Sequence, residues 1–186
     1  MTIIKALQSL QKGNKEFTNN NFAEAVTSYT EAITEFKDAG ITRDSPPEQV
    51  QNFTAAHQNL IASLIKVERF QDADNAINDA MASLPAHDFT TQRAILEHNW
   101  GVRLYEEGSQ ALNAGRYVSA IRLFEDSKNH ATTDEIESSI QDQMTYARLK
   151  VAEKKFSEGK YVEANNFLTK TPAVQLSDVI SDLWAQ

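Results

Sequence analysis

No cysteine occurs anywhere in the 186 residues, which excludes a disulfide framework, a thiolate metal site, an iron–sulfur cluster and a cysteine nucleophile together. Such a composition suits a reducing compartment. Excess positive charge is missing too: Lys and Arg number 18 against 26 Asp and Glu, and each half of the chain carries a net −4. With no basic tail or stripe to meet a phosphate backbone, nucleic-acid binding is not expected. Long hydrophobic runs are also absent. The longest apolar stretches, around Leu60 to Ile65, fall far short of a membrane span. The opening MTIIKALQSL has only a brief apolar patch and no small-residue cleavage site. A soluble, cytoplasmic protein with no membrane partner is the expectation.

Glycine and proline are scarce, 6 and 4 in number, so punctuation between elements is sparse and each instance is informative. Apolar residues recur every three or four positions. Ala25, Val26, Tyr29, Ala32, Ile33 and Phe36 draw one such stripe, and no segment alternates as a strand would. The fold class is therefore all-α. Ser45-Pro46-Pro47-Glu48 reads as a helix start, with a capping hydroxyl, prolines in the first turn and Glu three residues after Ser. Thr132-Thr133-Asp134-Glu135 repeats that Thr-x-x-Glu spacing, and Thr171-Pro172 opens a last helix. Stops fall at Gly40, Pro85, Gly115 and Gly159. These signals predict helices over about 3–19, 22–38, 46–68, 70–84, 89–113, 117–129, 133–158 and 161–170, and a ninth over 173–185.

A phased pattern runs through the second helix of each pair. Phe22, Phe70, Tyr117 and Tyr161 each stand three residues before an alanine, namely Ala25, Ala73, Ala120 and Ala164. Four residues after those alanines come Tyr29, Ile77, Phe124 and Leu168, all large and apolar. Three further on stand the small residues Ala32, Ala80, Ser127 and Thr171, while twelve before lie Gly13, Ile61, Gly108 and Ala152. Two antiparallel helices approach closely only where small side chains line the crossing, so Gly13 is expected to face Ala25, and Gly108 to face Ala120. No single pair buries its whole apolar face, so each hairpin needs the next.

This small/large pattern resembles the tetratricopeptide repeat (TPR). The closest match runs from Lys12-Gly13-Asn14-Lys15-Glu16-Phe17 through Phe22-Ala23-Glu24-Ala25 to Tyr29-Thr30-Glu31-Ala32-Ile33, and Leu104 to Ser127 follows it. The resemblance implies a single domain, 1–186, folded as a right-handed α-α solenoid of about four hairpins. Its units are approximately 3–40, 46–86, 89–131 and 133–171, with a C-terminal capping helix at 173–185. Family repeats recur at about 34 residues, whereas the anchoring alanines here are 48, 47 and 44 residues apart. The extra length contains Val50, Phe53, Ile95, Leu96, Trp100, Ile136, Ile140 and Met144 at helical spacing, and reads as N-terminal extensions of the first helices.

Catalytic and metal signatures are lacking. His57, His87, His98 and His130 are scattered without ligand spacing, and no His-Glu-x-x-His, nucleophile elbow or phosphate-binding glycine loop occurs. Glu106-Glu107 and Glu125-Asp126 are adjacent on helices and point apart, as residues of a solvated face do. His98, beside Trp100, reads as packing. Lys150, Lys154 and Lys155 with Arg148 form a local basic cluster interspersed with Glu153 and Glu158, the pattern of a charged solvent face. No enzyme, cofactor or metal is expected.

What the resemblance implies instead is a non-catalytic protein–protein interaction module, an adaptor, scaffold or co-chaperone. Its first helices would line a groove for a peptide or helix of a partner. Candidate groove residues are Gln11, Asn14, Thr18, Gln58, Asn59, Lys66, Tyr105, Ser109 and Asn113. Some family members grip a C-terminal carboxylate with Lys, Asn, Asn, Lys and Arg. Asn14 and Asn59 stand in the two Asn places, but Leu10, Val102 and Glu106 occupy the others, and a Glu repels a carboxylate. A chaperone-tail clamp is therefore not expected. The alternative is a structural protein that self-assembles through the array ends. In that case the last helix, with Leu176, Val179, Ile180, Leu183 and Trp184 on one stripe, would form a homodimer contact.

Overall fold

The computed structural model describes residues 3–130 and 132–170. The regular structure among them is wholly helical: α1 (Ile3–Thr18), α2 (Phe22–Asp38), α3 (Pro47–Lys66), α4 (Phe70–Ser83), α5 (Thr90–Asn113), α6 (Tyr117–Ser127), α7 (Asp134–Ser157) and α8 (Tyr161–Leu168). The expected helix over 173–185 lies outside the described residues. Two compact units, Met1–Asn99 and Trp100–Gln186, divide within α5.

The hairpins α1–α2, α3–α4, α5–α6 and α7–α8 share one turn. Asn20, Glu68, Gly115 and Gly159 hold left-handed φ values of 61°, 59°, 71° and 76°. In each turn the next residue donates its N–H to the carbonyl five residues back: Asn21 to Glu16, Arg69 to Leu64, Arg116 to Ala111 and Lys160 to Lys155, all at 2.9 Å. This is the Schellman closure of a helix end. The same residue's carbonyl then accepts the N–H of Ala25, Ala73, Ala120 or Ala164 at 2.9–3.0 Å. Glycine adopts the left-handed conformation freely, and Asn nearly so. Glu68 adopts it against a steric penalty of about 1–2 kcal/mol.

Beyond the turn, small residues let each pair close. All four anchoring alanines are buried. A Cβ on Gly13 would lie 2.7 Å from two ring carbons of Tyr29, and one on Gly108 would lie 2.6 Å from Phe124. The atoms nearest each glycine thus belong to the aromatic ring one turn after the buried alanine that the sequence pattern set at the crossing. Ile61 and Ile77, both fully buried, take the glycine and ring positions in α3–α4. Two mid-sized side chains there replace a small one and a large one, a swap that conserves volume.

In the first unit α1 packs on α2, α2 on α3 and α3 on α4, and α1 also meets α3. Phe36 of α2 packs on Phe53 of α3 with ring centroids 5.5 Å apart. Arg93, near the start of α5, donates to Asp74 Oδ1 at 2.7 Å and to Asn78 Oδ1 at 2.8 Å on α4. In the second unit α6 packs on α7 and α7 on α8, around Phe124, Ile140, Met144, Ala147 and Val151. Ser127 Oγ donates to the Gly101 carbonyl at 2.7 Å. Gly101 is itself crowded, because a Cβ there would lie 2.7 Å from Thr132 Cγ2.

Two helix starts differ from the sequence pattern. Pro46 is the residue before α3, and Ser45 makes no cap; its Oγ accepts the Thr42 N–H at 3.0 Å within the preceding turn. At α7 the cap is Thr133, not Thr132: its hydroxyl accepts the Ile136 N–H at 3.4 Å. The acids still sit in the first turn as Asp134, Glu135 and Glu137, where exposed N–H groups favour negative charge.

The crossings yield a direct test. Replacing glycine by alanine inside a helix ordinarily gains about 1 kcal/mol, but overpacking costs about 1–3 kcal/mol. Neither the Tyr29 nor the Phe124 ring has room to retreat, since both are essentially fully buried. G13A and G108A should therefore lose stability in urea melts, by up to about 2 kcal/mol net, while E24A on the exposed side of α2 should lose well under about 1 kcal/mol.

Candidate functional site

The sequence-derived groove residues fall on two helix faces, one in each unit. On the α1–α3 face the structure brings Asn14 and Asn59 together. Asn14 Oδ1 accepts the Tyr29 hydroxyl at 2.9 Å and Asn59 Nδ2 at 3.0 Å. Gly13 makes this possible, because the ring lying over it delivers its hydroxyl to the neighbouring residue. Burial pushes the Tyr29 phenol up to about 12; the Asn59 amide opposes the shift and the Glu16 carboxylate adds to it. The hydroxyl therefore stays protonated at neutral pH and acts as the donor. Among the described residues, no hydrogen-bond partner engages Asn14 Nδ2 or Asn59 Oδ1.

Around this pair, Gln11 and Lys66 are exposed and Gln58 is half-buried. The exposed Thr18 hydroxyl bonds back to the Asn14 carbonyl at 2.8 Å. Leu10 is buried, so its position in the chaperone-type clamp belongs to the core.

On the α5–α7 face of the second unit, Tyr105 and Ser109 meet two residues that sequence reasoning did not single out, Ser139 and Gln143. Tyr105 and Ser139 hydroxyls lie 2.8 Å apart. Gln143 Nε2 donates to Tyr105 Oη at 2.9 Å and to Ser139 Oγ at 3.1 Å, while its Oε1 accepts from Ser109 Oγ at 2.9 Å. Both ends of the Gln143 amide are thus engaged. Asn113 is exposed and takes no part. The sequence signal for Ser139 and Gln143 was their spacing of one helical turn on the lengthened α7, which places both opposite the Tyr105–Ser109 turn of α5.

The other candidates resolve individually. Arg148 leaves the basic cluster: it is buried, donating through Nη1 to the Lys170 carbonyl at 2.7 Å and through Nη2 to Glu125 Oε1 at 3.2 Å. Lys150 pairs with Glu153 at 2.9 Å and Lys155 with Glu163 at 2.7 Å. Glu107 pairs with Arg103 at 3.1 Å. His98 is exposed rather than packed, and it is His130 that stacks on Trp100, with centroids 4.5 Å apart. Among the described residues no cluster of three or more His, Asp or Glu stands close enough to hold a metal ion. No helix among them is long and apolar enough to cross a membrane.

His57 holds the register position in α3 that Arg148 holds in α7, each directly after a buried alanine, Ala56 or Ala147. It is completely buried against Phe53, with ring centroids 4.8 Å apart, and neither ring nitrogen bonds to another protein group. Desolvation lowers its pKa to about 4; Asp79 works against the shift and Lys37 with it. Those two groups form their own bridge from α2 to α4, with Lys37 Nζ donating to both Asp79 oxygens at 2.6 and 2.8 Å.

The imidazole is neutral at pH 7. Above its unfolded value of 6.5 both states are uncharged and no penalty applies. Between 6.5 and about 4 the unfolded chain takes up a proton that the folded chain refuses, so stability falls with pH across that window. Urea melts of the parent should show about 2 kcal/mol more loss between pH 7.5 and 5 than those of H57L. Parallel pH profiles for the two proteins would refute a neutral buried His57. In comparisons with known proteins, neither a family model, nor a curated protein, nor a solved structure matches this chain.

Proposed function

We propose that this chain is a non-catalytic, TPR-like protein-binding module, a right-handed solenoid of four hairpins that binds an extended peptide segment of a partner. Supporting the repeat reading are the one turn geometry common to all four hairpins and the glycine-under-ring crossings of α1–α2 and α5–α6 behind it.

The observation that carries the binding reading is the asymmetry between the two polar faces. On the α5–α7 face the Gln143 amide has partners at both ends. On the α1–α3 face Asn14 Nδ2 and Asn59 Oδ1 have no such partner among the described residues, which leaves one donor group and one acceptor on two hydrogen-bonded side chains. A peptide backbone presents a carbonyl and an N–H in turn, so it can engage both. The Tyr29 hydroxyl and Asn59 amide hold Asn14 in position, so little side-chain entropy is lost on binding. Gln11, Thr18, Gln58 and Lys66 surround the pair as further polar contacts. The concentration of binding groups on the first unit is a narrower assignment than a groove running the length of the chain.

Asn59→Ala is the informative variant, because it leaves the Tyr29–Asn14 bond in place. Against an array of short synthetic peptides, peptides bound by the parent should bind about fivefold more weakly to N59A, the value of one net hydrogen bond of about 1 kcal/mol. S109A, on the α5–α7 face, should bind as the parent does. Equal binding by parent and N59A would remove the first unit's face from the proposal.

A further inference from the structure

The face that carries Asn14 and Asn59 changes character along its length. Ile4, Leu7, Asn14 and Thr18 stand at intervals that keep them on one side of α1. Ala6, Leu10 and Gly13 turn into the core, whereas Ile4 and Leu7 are left 60% and 38% exposed. On α3 the facing stripe runs through Glu48, Ala55, Asn59, Ala62 and Lys66, with both charged residues exposed and both alanines half-buried. The two helices run in the same direction, because each is antiparallel to α2. Across α1–α2, Ser9 bonds to Glu35 and Ser28 to Glu16. Across α2–α3, Phe36 packs on Phe53 and Tyr29 lies by Asn59. Ile4 and Leu7 therefore share one end of the face with Glu48, Lys66 holds the other, and the two Asn lie between.

Spacing and charge say what belongs at each end. Leu7 is two turns before Asn14, and Lys66 is two turns after Asn59. Seven residues of helix rise about 10.5 Å, and three residues of extended chain span about 10 Å. A backbone unit held by the two Asn thus has its third neighbour on one side over Leu7, and its third neighbour on the other beside Lys66. Ala55 and Ala62, one turn either side of Asn59, leave room for a backbone to lie close. In charge, α1 and α3 together carry four Lys against two Glu, whereas α2 and α4 carry one Lys against seven Asp and Glu. The first helices of this unit are therefore basic in a protein of net charge −8. Lys66 has no ion-pair partner among the described residues. Glu48, in the first turn of α3, repels an acidic group at the Leu7 end.

We propose that the occupant of this face is an extended internal segment of a partner, with a large apolar side chain three residues to one side of the unit held by Asn14 and Asn59 and an acidic side chain three residues to the other. The apolar side chain rests on Ile4 and Leu7, and the carboxylate pairs with Lys66. This rests on the peptide-binding reading and adds to it the class of segment bound. Neither anchor uses a free chain terminus, which separates this mode from capture of a C-terminal carboxylate.

Two heptapeptides with capped ends test it: acetyl-Leu-Ser-Gly-Ala-Ser-Gly-Asp-amide and the same residues in reverse order, because the two amides can hold a chain in either direction. In chemical-shift titrations of the isotope-labelled protein, one order should bind and perturb the amides of Leu7, Asn14, Asn59 and Lys66. Replacing leucine by serine in that peptide should weaken binding to the parent about tenfold, and replacing aspartate by asparagine about threefold. Against L7S the first replacement should cost no more than about twofold, and against K66Q the second should cost nothing measurable. Circular dichroism establishes that each variant is folded, and the peptide replacements on the parent decide the matter even where a variant is not. Loss of leucine without effect on the parent, or with equal effect on parent and L7S, would overturn the proposal. If N59A still weakens binding in that case, peptide binding on this face stands and only the anchors fall. Failure of the parent to bind either heptapeptide would also overturn the proposal, with the broader peptide array left to judge the face itself. So would a parent dimer in sedimentation that L7S disperses, which would assign Ile4 and Leu7 to a second copy.

Discussion

A ring lying over a glycine is the contact on which the rest of this structure depends. Without a side chain on Gly13 or Gly108, the two helices of a hairpin come close enough for Tyr29 or Phe124 to span the crossing. The backbone approach then determines which residues meet at the turn, and the Schellman closure locks the exit of one helix to the entry of the next. In the first unit the same ring extends the consequence to the surface, because its hydroxyl holds Asn14 where Asn59 can reach it. One steric requirement therefore governs both core packing and the arrangement of the polar face.

The helices themselves were readable because their apolar residues follow a helical period with little glycine or proline to interrupt it. The anchoring alanines were readable because four copies in phase outweigh the weakness of any one. Other features were hidden for identifiable reasons. Asn20 and Glu68 hold the same left-handed turn as Gly115 and Gly159, yet only glycine announces that conformation in a sequence. Ile61 looked like a break in the pattern because its compensation, Ile77, lies on the other helix. Ser45 had the composition of a cap, but the turn before it claimed the hydroxyl.

Long polar side chains were the least legible. Arg148 reads as one cation of a surface cluster, and only three-dimensional placement shows its guanidinium turned inward to the Lys170 carbonyl and Glu125. Periodicity assigns a residue to a face but does not tell a lysine reaching into solvent from an arginine folded over the core. The groove residues divide the same way. Register alone groups Asn14 with Tyr105 and Ser109 as residues of first helices, whereas the hydrogen bond from Asn59 to Asn14 and the saturation of the Tyr105–Ser109 face by Gln143 depend on neighbours on other helices.

The constancy of the hairpins has a counterpart in what is allowed to vary. Twelve residues separate Gly13 from Ala25, Ile61 from Ala73, Gly108 from Ala120 and Ala152 from Ala164, while the segments joining one hairpin to the next differ in length. All slack in the chain is thus gathered at one end of each hairpin, and the turn end has none. An inserted loop, a splice junction or an epitope graft placed at residues 41–45 or 85–88 adds length where the fold already accommodates it. One residue added between Phe17 and Phe22 would rotate a whole helix off its partner. Evolution and engineering face the same one-sided latitude.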